Sequence, residues 1–129
     1  MSSVINASIS SNGIVSTADA SGILQIQSNG KNTNAQAWVQ FVGSTAVISK
    51  SYNVSSITRA SAGLYTINFT NALTDANYAI GGSCGTGGNN TTIFSAPSNT
   101  PTTTACQIVT CNTAASNIDY AYVSVIFFD

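Results

Sequence analysis

Chemistry has few places to reside in this chain. Its ionisable carboxylates are Asp19, Asp75, Asp119 and Asp129, its cations are Lys31, Lys50 and Arg59, and there is no His and no Glu in 129 residues. Without His the commonest general base is missing, so Ser-His-Asp and Cys-His mechanisms are excluded. A paired-carboxylate hydrolase needs two of the Asp residues to converge, and no local spacing brings two together. The expectation is a protein that is not an enzyme.

The cysteines, Cys84, Cys106 and Cys111, lack the CxxC spacing of zinc sites and have no His to complete one. Kept extended at about 3.3 Å per residue, Cys106 and Cys111 stand roughly 16 Å apart, beyond the reach of a disulfide. A direct bridge between them needs a turn; Cys84 with either is better placed, and small buried thiols are the expectation for a chain with no export signal. "GTGGNN" lacks the Lys-Ser/Thr ending of a phosphate loop. Gly85, Gly87, Gly88, Asn89 and Asn90 are therefore read as an exposed loop within the Gly-rich segment 81–92. Asp75 in "TDAN" lacks the alternating acidic pattern of a calcium loop and reads as a turn residue. Sequons begin at Asn6, Asn53, Asn68, Asn89 and Asn90, but with no signal peptide no glycosylation is assigned. No cofactor and no metal are expected.

Charged residues make up 5% of the chain and the net charge is −1, against about 25% charged residues in an average soluble domain. Polarity comes instead from hydroxyls and amides. Nucleic-acid affinity is largely phosphate neutralisation by clustered Lys and Arg, which three scattered cations do not supply. No window approaches the length of an apolar membrane helix, and the start "MSSVINASISSNG" lacks the charged and apolar regions of a signal peptide. Neither nucleic-acid binding nor membrane insertion is expected, and synthesis is expected in the cytoplasm. So little charge also means little self-repulsion, which favours an assembled state over a monomer solubilised by its amides.

The elements that must position these residues read as strands. In "GILQIQSNG" Leu24 and Ile26 share one face, Gln25 and Gln27 the other, and Asn29-Gly30 supplies a tight turn. In "AWVQFVG" the residues Ala37, Val39 and Phe41 oppose Trp38, Gln40 and Val42. Further strands are expected at 46–50, 54–58, 64–69, 78–80, 93–95, 106–109 and 120–128. No segment has helical apolar spacing. The spacing of turns fits an all-β fold, an antiparallel β-sandwich or jelly-roll-like domain with little or no helix. Residues 1–36 read as an N-terminal arm or first strands and a possible anchor, and residues 37–129 as the β-sandwich domain.

In the last strand, "DYAYVSVIFFD", Ala121, Val123, Val125 and Phe127 form one face, while Tyr120, Tyr122, Ile126 and Phe128 form most of the other. A strand apolar on both sides is either central between two layers or buried against another subunit. Trp38, Tyr122, Ile126 and Phe128 are accordingly the candidates for a subunit interface or for core.

Within residues 37–80 the blocks "AWVQFVG", "SYNVSSIT", "GLYTINFT" and "DANYA" follow one another in order. In these blocks, and in the "VSV" of Val123 to Val125, the last 90 or so residues resemble a domain of virion proteins of tailed bacteriophages, especially aquatic ones. The Gly-rich segment around Cys84 and the "CQIVTC" segment depart from the family pattern, as does the short stretch of about 36 residues ahead of the domain. The resemblance implies a β-structured, non-catalytic homotrimer on the virion surface. Its partners would be phage capsid or tail proteins and possible host cell-surface glycans or proteins. The short upstream stretch favours a capsid decoration or head-fibre protein docked on a larger scaffold. The alternative is a tail-fibre tip or tail accessory protein that binds a host receptor.

Overall fold

The computed structural model of the protein describes residues 27–28, 31–86, 92–95 and 101–128. The strands are β1 (Gln27–Ser28), β2 (Lys31–Asn32), β3 (Ala37–Val42), β4 (Val47–Tyr52), β5 (Val54–Ser61), β6 (Leu64–Phe69), β7 (Ala79–Gly85), β8 (Thr92–Ser95), β9 (Ala105–Asn112) and β10 (Tyr122–Phe128), with no helix among the described residues. β1 and β2 pair antiparallel, Ser28 opposite Lys31, on either side of Asn29 and Gly30, which lie outside the described residues. So do Leu24, Ile26 and most of the expected N-terminal arm. The other strands form two four-stranded antiparallel sheets, ordered β4-β3-β10-β7 and β5-β6-β9-β8. These pack face to face as the expected β-sandwich.

Alternation decides what fills the space between the sheets. Ala37, Val39 and Phe41 of β3 and Val123, Val125 and Phe127 of β10 point inward from the first sheet. From the second come Tyr65, Ile67 and Phe69 of β6 and Cys106 and Ile108 of β9. Phe69 and Phe127 meet edge-to-face at 5.0 Å, Tyr78 adds contacts to Phe69 at 5.9 Å and Phe127 at 5.7 Å, and Phe41 meets Tyr65 at 5.0 Å. Each such pair contributes roughly 0.5–1.5 kcal/mol beyond its area burial.

Four connections change sheets: β4–β5, β6–β7, β7–β8, of which residues 87–91 lie outside the described residues, and β9–β10. β4 passes directly into β5 through Asn53, whose φ of 54° is a left-handed conformation that Asn tolerates better than most residues. Its side chain fixes the corner: Nδ2 donates to the Gln36 and Asn71 carbonyls, and Oδ1 accepts from the Asn71 N–H at 2.8 Å. The β6–β7 connection drops Leu73 and Tyr78 into the core. The β9–β10 connection runs past Asp119 and Tyr120. In the β3–β4 pairing the register shifts, with Gln40 opposite Lys50 but Phe41 opposite Ile48. The bulge at Ser49 turns Ile48 back onto the core.

Several boundaries differ from those expected. The segment Gly81–Gly85, read as loop, is strand: it pairs with β10, Gly81 opposite Ile126 and Gly85 opposite Tyr122. Glycine carries no side-chain pattern, so only its partner strand reveals it. Gly85 is thus a half-buried strand end and not an exposed loop residue, while Gly87, Gly88, Asn89 and Asn90 lie outside the described residues. Tyr120 is not on the outer face of the last strand. It is 1% exposed and precedes β10, because its carbonyl is held by the Gly43 N–H at 2.9 Å before the strand register begins. Ala121, expected to share the inner face of β10, is exposed. β9 stays extended from Ala105 to Asn112, which separates Cys106 and Cys111 along one strand. Both are buried, and Cys84 is half-buried.

Candidate functional site

The outer faces of the two sheets differ in chemistry. On the second sheet Thr66 of β6 stands between Thr58 and Gln107, and Asn68 between Ser56 and Ala105. Asn68 Nδ2 donates to Ser56 Oγ at 3.1 Å and Thr58 Oγ1 at 3.4 Å. Apart from the Leu64–Val109 pair at one end, that surface is a lattice of hydroxyls and amides.

The first sheet instead presents rings. Register places Tyr52, Trp38, Ile126 and Gly81 in one row across β4, β3, β10 and β7, and Lys50, Gln40, Ser124 and Ser83 in the next. Tyr122 and Phe128 lie on the same face of β10, on either side of these rows. Trp38 is 38% exposed, Tyr52 41%, Phe128 40% and Tyr122 60%. Trp38, Tyr122, Ile126 and Phe128 therefore do share one face. It lies outside the sandwich core, since β3 and β10 each bury only their other face. An open groove of about 490 Å³ crosses this sheet over Trp38, Gln40, Ser124, Ile126, Gly82 and Ser83. That is within the roughly 300–1,000 Å³ of small-molecule sites. Gly81 and Gly85, the outward positions on either side of Ser83, leave the β7 side of the groove low, because no side chain rises from them.

A second cluster gathers at the end of the sandwich, around Asp119, a carboxylate that the fold partly encloses. Asp119 accepts from Arg59 Nε at 3.1 Å and Nη2 at 2.5 Å, from the Gly63 N–H at 2.9 Å and from the Tyr65 hydroxyl at 2.6 Å. The Arg59 hydrogen bonds foremost, helped by Tyr65 and Gly63, hold its carboxyl down to about 2 against the opposing effect of burial. Burial first, and the bond to Asp119 second, push the Tyr65 phenol above its ordinary value, so it stays a donor. The Arg59 guanidinium is raised by its bond to Asp119.

This corner is built backbone to backbone as well. Thr110 Oγ1 donates to the Ile118 carbonyl at 2.6 Å, and the Thr110 N–H donates to the Gly63 carbonyl at 2.8 Å. Gly63 has φ of 66°, and a Cβ there would strike the Thr110 carbonyl oxygen and stand 2.7 Å from the Ile118 nitrogen. The chemistry of the cluster is fastening. An ionised carboxylate saturated by donors is neither a general acid nor an available base.

Asp75 Oδ1 accepts from the Asn77 N–H, a side-chain turn of the kind expected of Asp. Among the described residues no group of Cys and Asp side chains is arranged to hold a metal ion, and no helix is long and apolar enough to cross a membrane. The aromatic face was legible in part: alternation grouped Trp38 with Gln40 and grouped Tyr122 with Ile126 and Phe128. Tyr52, Ser83 and Lys50 joined it only through strand order. The Arg59–Asp119 pair, 60 residues apart, left no local signal.

No known protein family, curated protein or solved structure matches this chain.

Proposed function

We propose that the chain is a non-enzymatic structural protein of the exterior of a bacteriophage particle, of the capsid decoration or head-fibre kind, which self-associates and docks on a larger scaffold. The observation that carries this reading is the division of the sandwich into an outer face of hydroxyls and amides and an outer face of partly exposed rings, Trp38, Tyr52, Tyr122 and Phe128. Clustered exposed apolar surface marks a contact site, and the near absence of free charge removes the repulsion that keeps copies apart. The phage setting rests on the sequence blocks from Ala37 to Ala79. Mass spectrometry of purified particles tests the proposal: the protein is expected as a stoichiometric component, and its absence refutes it.

The groove beside Trp38 favours a second reading, a tail-fibre tip or tail accessory module that recognises a host receptor. There the same face would engage the cell surface instead of another virion protein. Blocking of infection by the isolated protein is the result expected on this reading, and failure to bind host cells is the result against it.

A further inference from the structure

We infer that the groove over the first sheet is a binding site for an uncharged glycan, with Trp38 as the stacking platform and Gln40, Ser124 and Ser83 as the hydroxyl-binding row; this rests on the reading of the face as a recognition surface.

Two rows of side chains line the groove. Side chains on one face of a strand recur about every 6.8 Å, and neighbouring strands lie about 4.8 Å apart. The Trp38–Ile126 row and the Gln40–Ser124–Ser83 row therefore run side by side at about the width of one sugar ring. A pyranose has an apolar C–H face and a rim of hydroxyls. The first suits an indole surface, and the second suits a side-chain amide and hydroxyls that each donate and accept. The groove volume of about 490 Å³ is of ligand size, and the low β7 side leaves it open for a chain of sugars to run out over Gly82.

Other occupants fit less well. β3 is paired on both sides by β4 and β10, and β10 on both sides by β3 and β7. Neither strand offers a free edge, and a peptide strand added to β7, an edge of this sheet, would extend the sheet sideways instead of lying over Trp38 and Gln40. Lys50 is the one cation in the rows, which is too little for a nucleic acid or an anionic surface. A purely apolar ligand would desolvate Gln40, Ser124 and Ser83 without replacing their hydrogen bonds.

Trp38 is the only tryptophan of the chain and so reports on the site by itself. The test is a titration of the full chain with linear neutral oligosaccharides (cello-, malto-, chito-, manno- and galacto-oligosaccharides), followed by tryptophan emission and repeated by calorimetry. At least one is expected to blue-shift the emission saturably at millimolar concentration, with an affinity unchanged by added salt. Gln40→Ala and Ser124→Val are expected to weaken it about three- to ten-fold each. Trp38→Ala should abolish the calorimetric signal, and Thr66→Ala on the opposite face should leave it intact. Silence towards every sugar, or binding that survives Trp38→Ala, overturns the inference. If the silent protein also shows Trp38 emission that shifts blue with its own concentration, the face is an interface between copies and the contact-surface reading stands. If that emission stays solvent-exposed and concentration-independent, both fail.

Discussion

Replacing Asp119 by Asn removes the charge at the fastened corner while keeping the side-chain volume. The fall of its carboxyl from an ordinary 3.8 to about 2 converts, at ~1.36 kcal/mol per pH unit, to about 2 kcal/mol. Solvent reaches both partners, the side chains of Arg59 and Asp119 being 34% and 17% exposed, and screening reduces this to about 1 kcal/mol. The Asn amide also turns donors towards the Arg59 guanidinium, so a loss of about 1–2 kcal/mol at pH 7 is expected. The sign with pH follows from a depressed folded-state value. The contribution is fully present above the unfolded-state value near 4 and is lost as pH falls towards 2. Urea unfolding followed by far-UV circular dichroism should therefore show wild type above Asp119→Asn by a constant margin from pH 5 to 8, with the margin closing near pH 2. A margin below about 0.3 kcal/mol at pH 7, or one that persists unchanged at pH 2, would refute the reasoning.

Gly63→Ala should destabilise by at least about 2 kcal/mol, since it combines a left-handed residue with a Cβ against the Thr110 carbonyl; a thermal melt unchanged from wild type would contradict this. Cys106 is fully buried and its thiol is pushed up by that burial, so brief iodoacetamide treatment of the native protein, read by peptide mass spectrometry, should label half-buried Cys84 well before Cys106.

The strands differ in how plainly their residues announce them. β3 and β6 declare themselves because Val39 and Phe41, or Tyr65, Ile67 and Phe69, alternate with polar residues, and the core is the sum of such inward sets. β7 stays hidden because Gly81, Gly82 and Gly85 have no side chains to alternate, and β10 alone imposes their extended state. Tyr120 has the same residue type as Tyr122 two positions on, yet a single backbone bond from Gly43 draws one inside while the other is left on the outer face. Alternation also groups Trp38, Tyr122, Ile126 and Phe128 as candidates for a buried surface. Whether a second layer covers them depends on which face of each sheet meets the other, and that is settled by the sandwich as a whole. The Asp119 corner joins a hairpin tip, a strand and a crossover, so no local pattern announces it.

The central claim is that contact is made through the ring-bearing face of the first sheet. Hydroxyl-radical footprinting of the protein, free, in purified particles and on host envelopes, tests it residue by residue. The account predicts that Trp38, Tyr52 and Tyr122 become protected in at least one bound state while Thr66, Asn68 and Gln107 on the opposite sheet stay as reactive as in the free protein. Unchanged oxidation of Trp38, Tyr52 and Tyr122 in both bound states would contradict it.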